Sequence, residues 1–387
     1  MSQSARASSK IRSTLAYYYA FIILGLITGV FGPTLAALAR HTQSTLSEIS
    51  ILFAARSFGY LIGSFLSGRL FDRIRGHPLL VGALLATALA FALIPLISAL
   101  WLLAALVLLL GIAEGGIDVG GNSMLLWMHR ENSSLFLNGL HFFFGVGAFL
   151  SPIVVAQVVL STGEIGWAYW LLALVTLPAA AWLIRLPSPP PRNDSAKNIS
   201  ARVSPLLVTS IALFFFLYVG AEVGYGNWIF TYATKLNLSD ATSAALLTSG
   251  FWGAFTLGRL IGVPLSARFN PKTILFVDLI GALASVSGVL AFSHSIAALW
   301  LGTIGIGLFM ASIFPTMLAF AGRKMAITGE VTAWFMIGAG GGGMFLPWLI
   351  GQLFEPVGAT IAPFLVLTNL AGAFVVLGLV LARQSQN

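Results

Sequence analysis

Glu114, Asp118 and Asn122 stand four residues apart. On an α-helix each such step turns the side chain by only about 40°, so all three share one stripe. Two carboxylates one turn apart in apolar surroundings do not both ionise readily, and one keeps a proton unless a cation lies between them. That is the chemistry of a cation-coupling site for H+ or Na+. The alternative is that one of the pair binds Arg56 and merely fastens two helices together. Glu222 is a third acid with the same coupling role in view, and Gly224, Tyr225, Gly226, Asn227 and Trp228 follow it. Glycines spaced by two predict a kink or an unwound turn, and an amide beside aromatic rings suits a polyhydroxylated ligand. Trp228 suits an interfacial anchor equally well. Asn138 and His141, one turn apart, are candidates for substrate contact or proton sensing. Arg259 and Asp278 are expected to form a buried ion pair.

These residues are costly where they stand, because long apolar runs surround them. The chain has 387 residues, 58% of them hydrophobic and only 8% charged. Ordinary soluble domains carry about 25% charged residues, so this chain cannot coat a water-exposed surface. A bilayer core of about 30 Å needs about 20 apolar residues in a helix. Twelve segments qualify: 14–37, 47–70, 78–98, 100–126, 135–160, 165–185, 205–233, 241–265, 272–292, 296–320, 328–354 and 358–383. A charged side chain at the centre of such a helix costs about 2.5 to 3.5 kcal/mol, which is why Arg56, Glu114, Asp118, Glu222, Arg259 and Asp278 stand out.

With the N-terminus inside, 16 of the 20 Lys and Arg residues fall in cytoplasmic segments and only Arg40 and Lys235 outside. This asymmetry fixes the expected orientation, both termini cytoplasmic. Prolines, charges and amides replace apolar residues over 187–204, which divides the chain into an N-terminal six-helix bundle (1–186), a cytoplasmic linker (187–204) and a C-terminal six-helix bundle (205–387). One offset of 195 residues pairs the halves: Gly25 with Gly220, Gly63 with Gly258, Arg73 with Arg268, Gly147 with Gly342, Pro152 with Pro347. Parallel six-helix repeats are a transporter architecture.

The loop Gly68-Arg69-Leu70-Phe71-Asp72-Arg73-Ile74-Arg75-Gly76-His77 resembles the major facilitator superfamily signature G-x-L-x-D-R-x-G-R-K. Gly68, Leu70, Asp72 and Arg73 match, and Arg75 replaces the second glycine. Asp118 to Asn122, Asn138 to Pro152 and Tyr218 to Trp228 are similar to the fucose, glucose and galactose permease branch and its sodium-dependent glucose transporter relatives. The resemblance implies an all-α membrane protein of twelve helices in two bundles. It also implies alternating access, cation-coupled movement of a sugar-sized solute, a monomer, and a cytoplasmic gating latch built from Asp72, Arg73 and Arg130.

The readings that follow are a secondary transporter for a small polar solute such as a monosaccharide, an efflux antiporter for amphipathic compounds, and an intramembrane enzyme or transporter-like receptor. No G-x-S-x-G elbow, P-loop or H-E-x-x-H helix occurs, which argues against an enzyme and against ATP hydrolysis. Without cysteine there is no disulfide or thiolate metal site, and no cofactor or metal is expected. The basic residues flank apolar runs instead of clustering on one face, so the expected partners are a small solute and the lipid bilayer, not nucleic acid. A bacterial inner membrane is the expected location.

Overall fold

The computed structural model describes residues 3–71, 73–129, 133–188, 204–325 and 327–384. Twelve of its helices are long and apolar enough to cross a membrane, and no strand occurs among the described residues. They are α1 (Gln3–His41), α2 (Leu46–Phe71), α3 (Gly76–Leu96), α4 (Leu100–His129), α5 (Ser133–Thr162), α6 (Gly166–Ile184), α7 (Pro205–Lys235), α8 (Ala241–Arg268), α9 (Pro271–Ala291), α10 (Ile296–Gly322), α11 (Gly329–Val357) and α12 (Ile361–Gln384). All twelve expected segments are present.

Local chemistry sets the starts of the C-terminal helices. Asp240 and Asn270 accept the backbone N–H of Ser243 and Thr273, at 2.7 and 2.9 Å, and Thr328 caps α11 in the same way. Pro271 follows Asn270 at the first helical position, where a missing N–H costs nothing. At its far end α11 stops at Gly358, whose φ of 110° is open to glycine and strained for any other residue.

Two helices are interrupted. α2 is a short turn, Leu46–Ile49, followed by Ile51–Phe71. α10 consists of Ile296–Met310 and Ile313–Gly322, with Ala311 and Ser312 between them. Pro315 explains the second break: it has no N–H to give the carbonyl four residues earlier, which is that of Ala311.

The chain forms two compact units. One comprises α1, α2 from Ala55 onward, and α3 to α6. The other comprises α7 to α12 together with Leu46–Ala54. That short segment is tied into the second unit by hydrogen bonds: Ser47 donates to Gln352 at 2.8 Å, Gln352 donates to the Ser47 carbonyl at 2.9 Å, and the Leu46 N–H donates to Glu355 at 3.2 Å. The expected boundary had left those residues with the first bundle.

Inside each unit glycines set the helix crossings. A Cβ on Gly25 or Gly147 would strike the backbone of the facing helix, so α1 and α5 touch main chain to main chain. In the second unit Gly342 meets the backbone of Phe216 and Gly220 faces Gly342, so α7 and α11 repeat the arrangement. Gly342 therefore marks a close crossing within one unbroken helix.

Candidate functional site

The α2–α4 crossing positions the acidic stripe. Gly111 lies against the carbonyl of Arg56 and Gly115 against that of Tyr60, leaving no room for a side chain at either glycine. Arg56 and Tyr60 are thereby held over the acids that stand three positions beyond those glycines on α4. Arg56 donates from Nε to Glu114 Oε2 at 2.8 Å and from Nη2 to Glu114 Oε1 at 2.6 Å. It also donates to Thr28 Oγ1 at 3.0 Å, and its guanidinium lies 5.6 Å from the centre of the Phe31 ring. Both members of the pair are buried. Three directed bonds and an aromatic face fix Arg56 in one place.

This is the contact that the second reading of the stripe expects. The Arg56 guanidinium lies against Glu114 and joins α2 to α4. Asp118 has a different environment. Tyr60 donates to its Oδ2 at 2.5 Å, and Asn122 donates from Nδ2 to its Oδ1 at 2.9 Å. Asp118 is only partly buried. Thus the stripe holds one acid neutralised by an arginine and one held by hydroxyl and amide donors.

In the second unit Tyr218, Glu222 and Tyr225 line one face of α7, directed at α8 and α10. The Tyr225 hydroxyl is 2.7 Å from Thr303 Oγ1, and Tyr218 donates to the Met310 carbonyl at 2.7 Å. Glu222, one turn from Tyr218 on α7, is partly buried. The expected Arg259–Asp278 ion pair is not formed. Asp278 accepts from the Ser312 hydroxyl at the break in α10, while Arg259 lies over the Phe255 ring, 4.6 Å from its centre, with Nε buried and, among the described residues, without a hydrogen-bond partner. Their helices are neighbours, but the two side chains have turned to different partners.

The expected solute contacts are distributed unevenly. Trp228 is fully buried, donates to the Pro347 carbonyl at 2.9 Å and stacks on Phe354, so in this arrangement it offers a solute neither ring face nor N–H. Tyr225 is buried too, its hydroxyl already engaged. Asn227 spends its amide on the Val223 carbonyl at 2.9 Å, leaving a buried carbonyl oxygen without a partner among the described residues. The unwound turn expected at Gly224 and Gly226 is absent. α7 is continuous there, because Leu346 and Ile350 pack against the first glycine and Phe251 and Trp252 against the second. On α5, Asn138 is exposed, and His141 is partly buried with its ring edge-on to Phe21 at 6.0 Å.

Of the gating residues, Asp72 and Arg130 lie outside the described residues, as does 189–203 of the linker. Arg73 stands exposed in a turn closed by its N–H to the Leu70 carbonyl at 3.0 Å.

Sequence reasoning missed Tyr60, Tyr218 and Ser312. Signals were available. Tyr60 is four residues from Arg56 and Tyr218 four from Glu222, each on its partner's face, and Ser312 precedes the helix-breaking Pro315 by three.

Residues 17–347 match the family model described as Major Facilitator Superfamily. The chain belongs to the major facilitator superfamily. Sodium-dependent glucose transporter 1 of Xenopus laevis is 33% identical over 84% of this chain and 72% of that protein. Major facilitator superfamily domain-containing protein 4A of Homo sapiens is 28% identical over 90% of this chain and 87% of its own. Among solved structures, a point mutant of the nucleoside transporter NupG superposes with a TM-score of 0.76 at 13% identity, covering 97% of this chain and 99% of that one. A point mutant of the E. coli fucose:proton symporter FucP gives 0.65 at 19% identity, covering 96% and 99%. At these identities the two structures establish the shared fold. This major facilitator protein is thus a multi-pass membrane transporter for a small molecule.

Proposed function

We propose that this transporter carries a monosaccharide across the membrane together with H+ or Na+. The observation that carries the reading is the difference between the two acids of α4, where Arg56 pairs with Glu114 while Tyr60 and Asn122 donate to Asp118. An acid held by hydroxyl and amide donors can exchange a monovalent cation without dismantling a buried ion pair. Coupling is therefore assigned to Asp118 and Glu222, and Glu114 to holding the helices together. Likeness to a sodium-dependent glucose transporter supports a sugar as the solute. Asn138 and His141, whose side chains are not closed off, are the residues assigned to it. The cytoplasmic latch of Asp72, Arg73 and Arg130, a bacterial inner membrane, cytoplasmic termini and a monomeric state belong to the same reading.

The test is purified protein in proteoliposomes with labelled D-glucose, D-galactose and L-fucose. Counterflow of at least one sugar, and its accumulation under an inward sodium or proton gradient, is the expected result. Glu222→Gln should reach the membrane and lose gradient-driven accumulation. Equal sugar entry with the ion gradient present or collapsed would defeat the coupled reading, and absence of counterflow for the whole panel would defeat the sugar assignment.

A further inference from the structure

Residue 77, the last position of the signature loop, is a histidine where the signature has lysine, and it is buried. It ties the start of the linker to α3 twice. Its backbone N–H donates to Ser188 Oγ at 3.0 Å, which gives the first turn of α3 an acceptor that the side chain of Arg75, at the capping position, does not supply. Its ring Nδ1 is 3.1 Å from the Leu186 carbonyl, and its Nε2 is 2.7 Å from the Tyr17 hydroxyl on α1. One residue thereby joins α1, α3 and the chain leaving α6, at what is the cytoplasmic end in the proposed orientation.

Hydrogen-bond polarity fixes the state of this ring. A carbonyl only accepts, so Nδ1 carries the hydrogen, and Tyr17 then donates to a bare Nε2. Every polar atom of the imidazole is matched while it is neutral. A second proton would place a hydrogen on Nε2, reverse the bond to Tyr17 and leave a positive charge enclosed beside that fully buried ring. No carboxylate stands at ion-pair distance to answer it, since the only ion pair among the described residues is Arg56–Glu114. The groups packed around this position are the neutral Tyr17 from α1, Met124 of α4 against Gly76, and the Leu186 carbonyl and Ser188 hydroxyl after α6. The neighbouring charges in sequence, Arg73 and Arg75 in the loop and Arg185 at the end of α6, are basic and exposed.

A second histidine at the same end behaves differently. His129, closing α4, has Nε2 2.8 Å from the hydroxyl of Thr14, one turn before Tyr17 on α1. That hydroxyl gives its hydrogen to the Lys10 carbonyl at 2.9 Å, so it accepts from His129, and a second proton on the ring leaves the bond intact.

We propose that His77 is a proton-operated latch on the linker: neutral, it holds Leu186 and Ser188 against the N-terminal bundle, and on protonation it releases them. The grip on the linker then follows the pH at that face of the membrane, a regulation separate from the carried ion and independent of which solute is moved. The sign comes from linkage. The held form binds one proton fewer than the released form, so the latch is closed at higher pH and opens as pH falls.

The chain has no cysteine, so Pro187→Cys, between the two held residues, carries a single nitroxide. Its mobility is read by electron paramagnetic resonance on the purified full-length protein, from mildly alkaline to mildly acidic buffer, with neither sugar nor ion gradient. The label should be immobilised in alkaline buffer and become mobile in one single-proton transition. His77→Asn, which keeps a donor in place of Nδ1 and cannot titrate, should abolish the transition. Tyr17→Phe removes a bond that only the neutral ring accepts and should move the transition up by about one pH unit. His129→Asn should leave it in place. A mobility that ignores pH in the parent protein, a transition that survives in His77→Asn, or equal shifts in Tyr17→Phe and His129→Asn would overturn the proposal. If Tyr17→Phe does not accumulate, the parent and His77→Asn decide. Nothing is transported in this measurement, so its failure leaves the coupled-sugar reading untouched, and failure of sugar counterflow leaves the latch standing.

Discussion

Arg56 and Tyr60, one turn apart on α2, hold Glu114 and Asp118, one turn apart on α4, the first by a two-pronged ion pair and the second by a single hydroxyl. Equal spacing on the two helices is possible because Gly111 and Gly115 bring the backbones into contact at the same rise. The two acids thus differ in what their neutralisation does.

Glu114→Gln should destabilise the protein and Asp118→Asn should not. Breaking one partner out of a buried ion pair costs about 3 to 5 kcal/mol, since the other charge is left unpaired. A large fall in unfolding midpoint is expected for Glu114→Gln, with much of it recovered in an Arg56→Met, Glu114→Met double variant. Differential scanning fluorimetry of the four proteins checks this, and equal midpoints for Glu114→Gln and the wild type would contradict it.

Tyr60→Phe should fold and transport poorly under an ion gradient. Losing a hydrogen bond to a charged acceptor removes about 1.5 to 3 kcal/mol, equivalent to roughly tenfold or more in the ion step. Sugar exchange at equal ion concentrations should fall less than gradient-driven accumulation. Parallel losses in the two assays would place Tyr60 outside the coupling step.

Trp228→Phe should lower stability without altering solute selectivity. The indole N–H gives the Pro347 carbonyl its partner inside a fully enclosed site, and losing that bond costs about 1 kcal/mol with a further contribution from the smaller ring. Competition by a panel of sugars should give an unchanged order. A changed order would mean that the indole meets the solute in another conformation.

Gly147→Val and Gly342→Val should both abolish folded protein, while Gly378→Ala should be silent. The first two positions face the backbone of Ile22 and Phe216, and nothing lies near a Cβ on Gly378. Fluorescence size-exclusion chromatography of detergent extracts checks all three. A well-folded Gly342→Val would show that α7 and α11 can separate at no cost.

Asp240 supplies the pH-dependent prediction. The Ser243 N–H bonded to its carboxylate holds the acid below its ordinary value. The charge-dependent part of its capping is therefore complete at neutral pH and is lost as pH falls through the lowered titration point. Asp240→Ala should lower the midpoint near neutrality by an amount that shrinks in strong acid, whereas Asp240→Asn should keep a pH-independent advantage over Asp240→Ala, because a neutral amide oxygen also caps. Fluorimetry across pH distinguishes the three, and a pH-independent gap for Asp240→Ala would refute the capping account.

The twelve spans and the internal duplication could be read from the amino-acid string because each is a one-dimensional property. A bilayer demands an unbroken apolar run with its backbone satisfied within the helix, and the run is visible in the order of residues. The stripe of Glu114, Asp118 and Asn122 was legible for the same reason, since helical periodicity alone puts them on one side. Partner choice was not. Whether Glu114 meets Arg56, whether Asp118 meets Tyr60, and whether Arg259 meets Asp278 depend on the rotation and crossing of separate helices, which close contacts at Gly111, Gly115 and Gly258 determine. Trp228 and the glycines of α7 make the same point: ring and amide types advertised a ligand, and packing against Pro347, Trp252 and Leu346 enclosed them. Sequence determined which residues are costly in lipid, and only the tertiary structure decided which of those costs are already offset by a neighbour.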